Sequence, residues 1–176
     1  MRKGTSAVYS LGFAGLLTAA ILFSACSKSG STDAASSDQA QGPRAAKLGT
    51  WTDDYAAAVK QAKAENKQIL LDFTGSDWCP NCWNLDDGVF SKQAFADYAK
   101  AHLVLVTLDF PSPKIKLPDQ LVQQNELLMN KYGVEGLPTE ILLDSNEKKL
   151  AEIVGYGGET PAQFIDKLEH PVATGS

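Results

Sequence analysis

Histidine and cysteine are scarce in this chain, with two of the first and three of the second among 176 residues. A tetrahedral zinc site needs four nitrogen or sulfur ligands. Beyond Cys79 and Cys82 only His102 and His170 are on offer, at spacings that match no common zinc knuckle. Both histidines read as surface residues near helix ends. Positive charge is short as well: 16 Lys and Arg stand against 21 Asp and Glu, a net of -5. With no basic stripe or arginine cluster, binding to a nucleic-acid backbone is disfavoured. No internal repeat is present, which excludes solenoids and propellers. The length suits one ordinary domain with appendages, and a second domain is not expected.

Apolar character is concentrated at the start. Arg2 and Lys3 form a short basic region and Ala7 to Phe23 is almost uninterruptedly apolar, the layout of a targeting segment over residues 1–25. Its end, Leu22-Phe23-Ser24-Ala25-Cys26, resembles the lipobox of bacterial lipoproteins, which implies that Cys26 is lipidated and becomes the mature N-terminus. Phe23 departs from the usual leucine and also spoils an ordinary A-x-A cleavage site. An uncleaved signal anchor is the other reading, since about 17 apolar residues lie at the lower edge of spanning length. Either way the domain faces outward from the membrane. Residues 26–47 are then the lipidated cysteine and a flexible Ser/Ala/Gly/Asp/Gln linker with a span on the order of 25 Å. The folded domain is expected over 48–170, followed by a disordered tail at 171–176.

Trp78-Cys79-Pro80-Asn81-Cys82 follows closely on the apolar run Ile69-Leu70-Leu71-Asp72-Phe73. Two thiols thus sit three residues apart where a buried strand should turn into a helix. Positions i and i+3 share a face of the first helical turn, within the separation a disulfide requires. Cys79 would stand at the helix N-terminus, where unpaired N–H groups favour thiolate over thiol, and is the candidate nucleophile. Cys82, one turn deeper, is the candidate resolving thiol. Cys26 would be consumed by lipid, leaving no odd thiol.

Around this motif the periodicity predicts a helix with Tyr55, Ala58, Val59 and Ala62 inward, capped by Thr52 or Asp53 and ending before Asn66. Gln68 to Thr74, apolar on both faces, reads as a central strand covered above and below. After the cysteines the helical pattern continues, with a break allowed at Gly88, and Ser91 is expected to cap a helix carrying Phe95, Tyr98 and Ala99. Leu103 to Phe110 is a second central strand, parallel to the first. A proline-bounded loop spans 111–118, and Asp119 to Tyr132 is helical. Glu140–Leu143 and Leu150–Val154 form a hairpin. Thr160-Pro161-Ala162-Gln163 opens a last helix through a capping box.

A strand leading into W-C-x-x-C, a second parallel strand, Gly136-Leu137-Pro138-Thr139 before a hairpin and a final helix together resemble the thioredoxin superfamily, over about Leu48 to His170. Within it the chain is similar to the C-terminal domain of the transmembrane thiol:disulfide interchange protein DsbD. The resemblance implies an α/β thioredoxin-like fold, a central mixed sheet of four or five strands flanked by helices on both faces. It also implies that Pro138 is cis and that Leu137 pairs with an extended substrate. Trp78 matches a family aromatic beside the nucleophile. Asp72 matches the family's buried acid, placed to take the Cys82 proton, although Gly75-Ser76-Asp77 lengthens the connection by one residue. A strand-end Asp72 reaching solvent is the alternative. Trp83 stands where thioredoxin commonly has a basic residue, which bears on partner docking.

The implied activity is thiol–disulfide exchange, with no cofactor. Pro80 and Asn81 tune its direction: Asn81 is neutral and offers the thiolate no imidazolium-like neighbour, so a reductase or isomerase is favoured over an oxidase. Expected partners are disulfide-containing protein substrates and, because an extracytoplasmic reductase needs electrons from across the membrane, a membrane electron donor of DsbD type. Lys114, Ile115 and Lys116 are candidates for partner choice. The expected location is the periplasmic cell envelope, as a membrane-anchored, monomeric lipoprotein. The competing classes are a Cu(I) carrier using the dithiol and an inert interaction domain.

Overall fold

A computed structural model describes residues 46–171 of the chain. Cys26, the targeting segment, most of the linker and residues 172–176 lie outside the described residues. Among those described, the order is β1 (Trp51–Thr52), α1 (Tyr55–Glu65), β2 (Gln68–Thr74), α2 (Pro80–Leu85), a π-helical turn (Asp86–Phe90) and α3 (Gln93–His102). It continues with β3 (Leu103–Asp109), α4 (Asp119–Tyr132), β4 (Thr139–Leu143), β5 (Lys149–Val154) and α5 (Pro161–Glu169).

The five strands form one mixed sheet in the order β1-β3-β2-β4-β5. β3 runs parallel to both β1 and β2, whereas β4 is antiparallel to β2 and β5 to β4. β2 therefore lies at the centre, as its two-sided apolar pattern requires. Successive residues of a strand point to opposite faces, so Leu70 joins one core and Ile69, Leu71 and Phe73 the other. On the first face Leu70, Leu105 and Leu142 meet Leu85, Val89, Phe90, Phe95 and Phe164. The Phe90 ring lies 4.9 Å from Phe95 and 5.6 Å from Phe164, centroid to centroid. On the second face the sheet meets Ala58 and Ala62 of α1 and Leu128 of α4. A residue at an even position of β2 thus looks toward the helix that carries the cysteines, and Asp72 is such a residue.

Two helix starts differ from expectation. α1 is capped by Asp54, whose carboxylate accepts from the Ala57 N–H at 2.9 Å. Thr52, one of the two expected caps, belongs to β1 and its hydroxyl accepts from the Asp54 N–H at 3.1 Å. α3 begins after Lys92, and the Ser91 hydroxyl instead donates back to the Asp87 carbonyl at 3.0 Å. The cause is the π-helical turn, whose wider i→i+5 coil continues α2 without a break at Gly88 and leaves carbonyls for such bonds. At the other end α5 follows the reading closely: Thr160 and Gln163 complete the capping box, with Pro161 at the first helical position.

Candidate active site

β2 ends at Thr74, and the turn Gly75–Asp77 delivers Trp78 and then Cys79, the N-cap of α2. The Cys79 sulfur accepts from the Cys82 N–H at 3.2 Å. Pro80 fills the first helical position, where its missing N–H has no partner to lose. Cys79 and Cys82 are joined in a disulfide with Cα atoms 5.3 Å apart. Cys82 is the deeper of the two, at 1% exposure against 4% for Cys79. Pro80 and Asn81 between them are exposed.

Trp78 stands 51% exposed beside the disulfide, its indole N–H donating to the Phe110 carbonyl at 2.8 Å. A Cβ at Gly75 would lie 2.7 Å from that ring, so the lengthened connection works because it opens with glycine. The rest of the turn is tied to the loop after β3. Ser76 donates to Asp109 through its N–H (2.9 Å) and hydroxyl (2.7 Å), and Asp77 accepts from the N–H of Ser112 (2.8 Å) and from its hydroxyl. These donors hold the Asp77 carboxyl below its ordinary range. Trp83 turns its indole N–H to the Ser76 carbonyl at 3.0 Å, so the residue that departs from the thioredoxin pattern braces the same turn.

The Leu137–Pro138 peptide bond is cis, as the resemblance implies. Thr139 pairs with Phe73 across the sheet, which puts buried Pro138 at the C-terminal end of β2, the edge from which Trp78 and Cys79 emerge. Leu137 is half-buried against the second core. The Pro138 carbonyl accepts from the Gly155 N–H at 2.8 Å and the Thr139 hydroxyl donates to the Gly136 carbonyl at 2.8 Å, fixing both flanks of the turn. Loop 111–118 rises from the same edge: Lys114, Ile115 and Lys116 are exposed and an open hollow of about 240 Å³ is lined by Phe110, Pro113, Ile115 and Val122. His102 and His170 are exposed at the ends of α3 and α5, away from this edge.

Asp72 is 1% exposed and does not reach solvent. Its carboxylate is paired with the ammonium of Lys47, which also lies 3.4 Å from Asp86 and 4.6 Å from the centre of the Trp51 ring. Burial works to lower the Lys47 pKa, but the charges of Asp72 and Asp86 outweigh it and hold the ammonium above its ordinary value. Burial pushes the Asp86 carboxyl up to about 6, with Lys47 opposing. Directly across the sheet from Asp72 stands Glu140, also 1% exposed.

Asp86, Glu140 and Lys47 were not picked out from the sequence. Asp86 carried a signal, because it lies four residues after Cys82 and so on the same helical face. Glu140 carried one in its alternation with Leu142. Lys47, at the end of a polar stretch, carried none.

A mixed five-stranded sheet with helices on both faces, a disulfide at the start of the helix after the central strand and a cis proline before the antiparallel pair define the thioredoxin fold with a redox dithiol. This is the architecture of a thiol–disulfide oxidoreductase. The chain belongs to the thioredoxin-like domain family, whose sequence model matches residues 55–170. It is 34% identical over 117 residues to the disulfide bond reductase DsbH of Chlamydia pneumoniae, covering 66% of this chain and 69% of that one. A solved structure of a DsbH oxidoreductase, also at 34% identity, superposes with a TM-score of 0.64 over 77% of this chain and 93% of the other. Similarity also extends to the thiol:disulfide interchange protein DsbD of Actinobacillus pleuropneumoniae serotype 5b (strain L20), at 28% identity over 109 residues, 62% of this chain but only 17% of DsbD.

Proposed function

We propose that the chain is an extracytoplasmic protein-disulfide reductase, tethered through a lipid on Cys26, in which Cys79 is the attacking sulfur and Cys82 the resolving one. The observation that carries this reading is the Cys79–Cys82 disulfide at the N-terminus of α2, with Cys82 beneath Cys79 and Trp78 exposed beside them. The N–H of Cys82, pointed at the Cys79 sulfur, would stabilise a thiolate there.

In the reduced protein the Cys79 thiolate attacks a substrate disulfide, forming a mixed disulfide and expelling one substrate thiolate. Cys82 then gives its proton to the Asp72 carboxylate and attacks the Cys79 sulfur. The second substrate thiolate leaves with the bonding electrons, and two thiols' worth of electrons have passed to the substrate. Trp78 and the Leu137–Pro138 edge receive the substrate chain, and loop 111–118, through Lys114, Ile115 and Lys116, selects the partner. A reductant in an oxidising compartment must itself be reduced, which calls for a membrane electron donor of DsbD type. Reductase is preferred to oxidase because Asn81 is neutral and because the DsbH relative is named a reductase.

Equilibrating the disulfide against a glutathione series tests the direction. The expected potential lies nearer thioredoxin's value of about −270 mV than DsbA's of about −120 mV, and a value near the latter would make the protein an oxidase. Cys82→Ser should trap substrate proteins as mixed disulfides on Cys79, whereas Cys79→Ser should trap none.

A further inference from the structure

Glu140 takes no part in the reaction just described, yet it is as deeply buried as Asp72. Neither of its carboxyl oxygens accepts a hydrogen bond from any donor among the described residues. A buried carboxylate without hydrogen-bond donors is costly, and the ordinary remedy is to keep the proton. A protonated carboxyl then needs an acceptor for its O–H. In the antiparallel β2–β4 pair Glu140 stands directly opposite Asp72, a position that brings Cβ atoms to about 5 Å. Both residues share a sheet face with Leu70 and Leu142, the face covered by Leu85 of the cysteine-bearing helix. Two carboxyls confined side by side in this way cannot both ionise easily.

We propose that Asp72 and Glu140 hold one proton between them beneath the Cys79–Cys82 disulfide, with Lys47 as the counter-charge of the pair. Glu140 is then a positioning residue: its O–H donates to Asp72, fixes the orientation of that carboxylate and leaves Asp72, rather than Glu140, to accept the Cys82 proton. The charged groups that act on the pair are Lys47 from ahead of β1 and Asp86 from the π-helical turn; on β5 the residue opposite Glu140 is Ile153. Burial and the negative charge of Asp72 both push the Glu140 carboxyl well above its usual range, in keeping with the geometry. For the redox step, which rests on the reading of Asp72 as the base, the count closes. The pair gains a second proton as Cys82 attacks Cys79, then releases it to the departing substrate thiolate and returns to its one-proton state.

Infrared spectroscopy of the oxidised full chain tests the pair without turnover. At pH 7.5 a protonated-carboxyl C=O band is expected, sensitive to deuteration, lost in Glu140→Gln and shifted in Asp72→Asn. Failure to find it in the unmodified chain overturns the proposal even if neither variant folds, and so does its survival in Glu140→Gln. A second readout is the pH profile of disulfide closure from a preformed mixed disulfide on Cys79. The profile of Glu140→Gln should differ from that of the unmodified chain, because one of the two coupled carboxyls no longer titrates; identical profiles in the two proteins overturn the proposal. If the band behaves as expected while Asp72→Asn closes its disulfide at the unmodified rate, the base role of Asp72 fails and the shared proton stands.

Discussion

Asp86 lies one helical turn beyond Cys82 and shares Lys47 with Asp72, so its ionisation bears on both stability and site charge. Its folded pKa of about 6 stands above the ordinary carboxylate value of 3.8. A carboxyl with a raised folded pKa binds its proton more tightly in the native state. Its contribution to stability is full below about pH 4 and is lost as pH rises through about 6. Relative to Asp86→Asn, which does not titrate, the unmodified chain should lose about 2 to 3 kcal/mol of unfolding free energy between pH 4 and pH 7. Urea titrations of the two proteins at several pH values would measure this, and a constant difference would contradict it.

The π-helical turn Asp86–Phe90 lets one element serve two ends: α2 holds the cysteines, and the turn brings Val89 and Phe90 into the core against α3 and α5. Gly88 makes it possible, because a Cβ there would fall 1.9 Å from the Tyr156 hydroxyl, itself bonded to the Glu159 carbonyl at 3.0 Å. Gly88→Ala should therefore destabilise the domain by about 1 to 3 kcal/mol despite alanine's better helix propensity. The same change in a Tyr156→Leu background should cost measurably less, and a double-mutant cycle with no coupling would disprove the clash. Caps were only partly legible at this scale. The box at Thr160 and Gln163 is a local pattern and could be read directly, whereas the use of Asp54 depended on Thr52 being drawn into a two-residue edge strand too short for any periodicity to announce.

Across the whole molecule, Lys47 ties the chain entering the domain to its central strand and to the turn after the cysteines. Removing its charge by Lys47→Met would leave buried carboxyls without a counter-ion, at a cost of about 3 kcal/mol. Chemical denaturation should show that loss, and a change below about 1 kcal/mol would mean the pair contributes little. At the same scale the proposed lipid tether can be tested separately: Cys26→Ser should abolish lipid labelling and release the protein from membranes into the soluble fraction. Retention on the membrane would favour an uncleaved anchor instead.

The sequence by itself determined the fold, the cysteine pair and the proline turn, because each is written in local terms: a two-sided apolar strand, a fixed i to i+3 spacing, a four-residue signature before a hairpin. It also singled out Asp72, since a carboxyl within an apolar run is conspicuous, but left a solvent-reaching Asp72 as the alternative, which burial at 1% exposure decides against. Only the tertiary structure decided what surrounds that carboxyl. Glu140 meets Asp72 because β4 pairs antiparallel with β2 in one particular register, and Lys47 meets Asp72 and Asp86 because the chain ahead of β1 crosses that face. Electrostatic partnership depends on distance in space, and residues 25 and 68 positions apart become neighbours only when the sheet has formed.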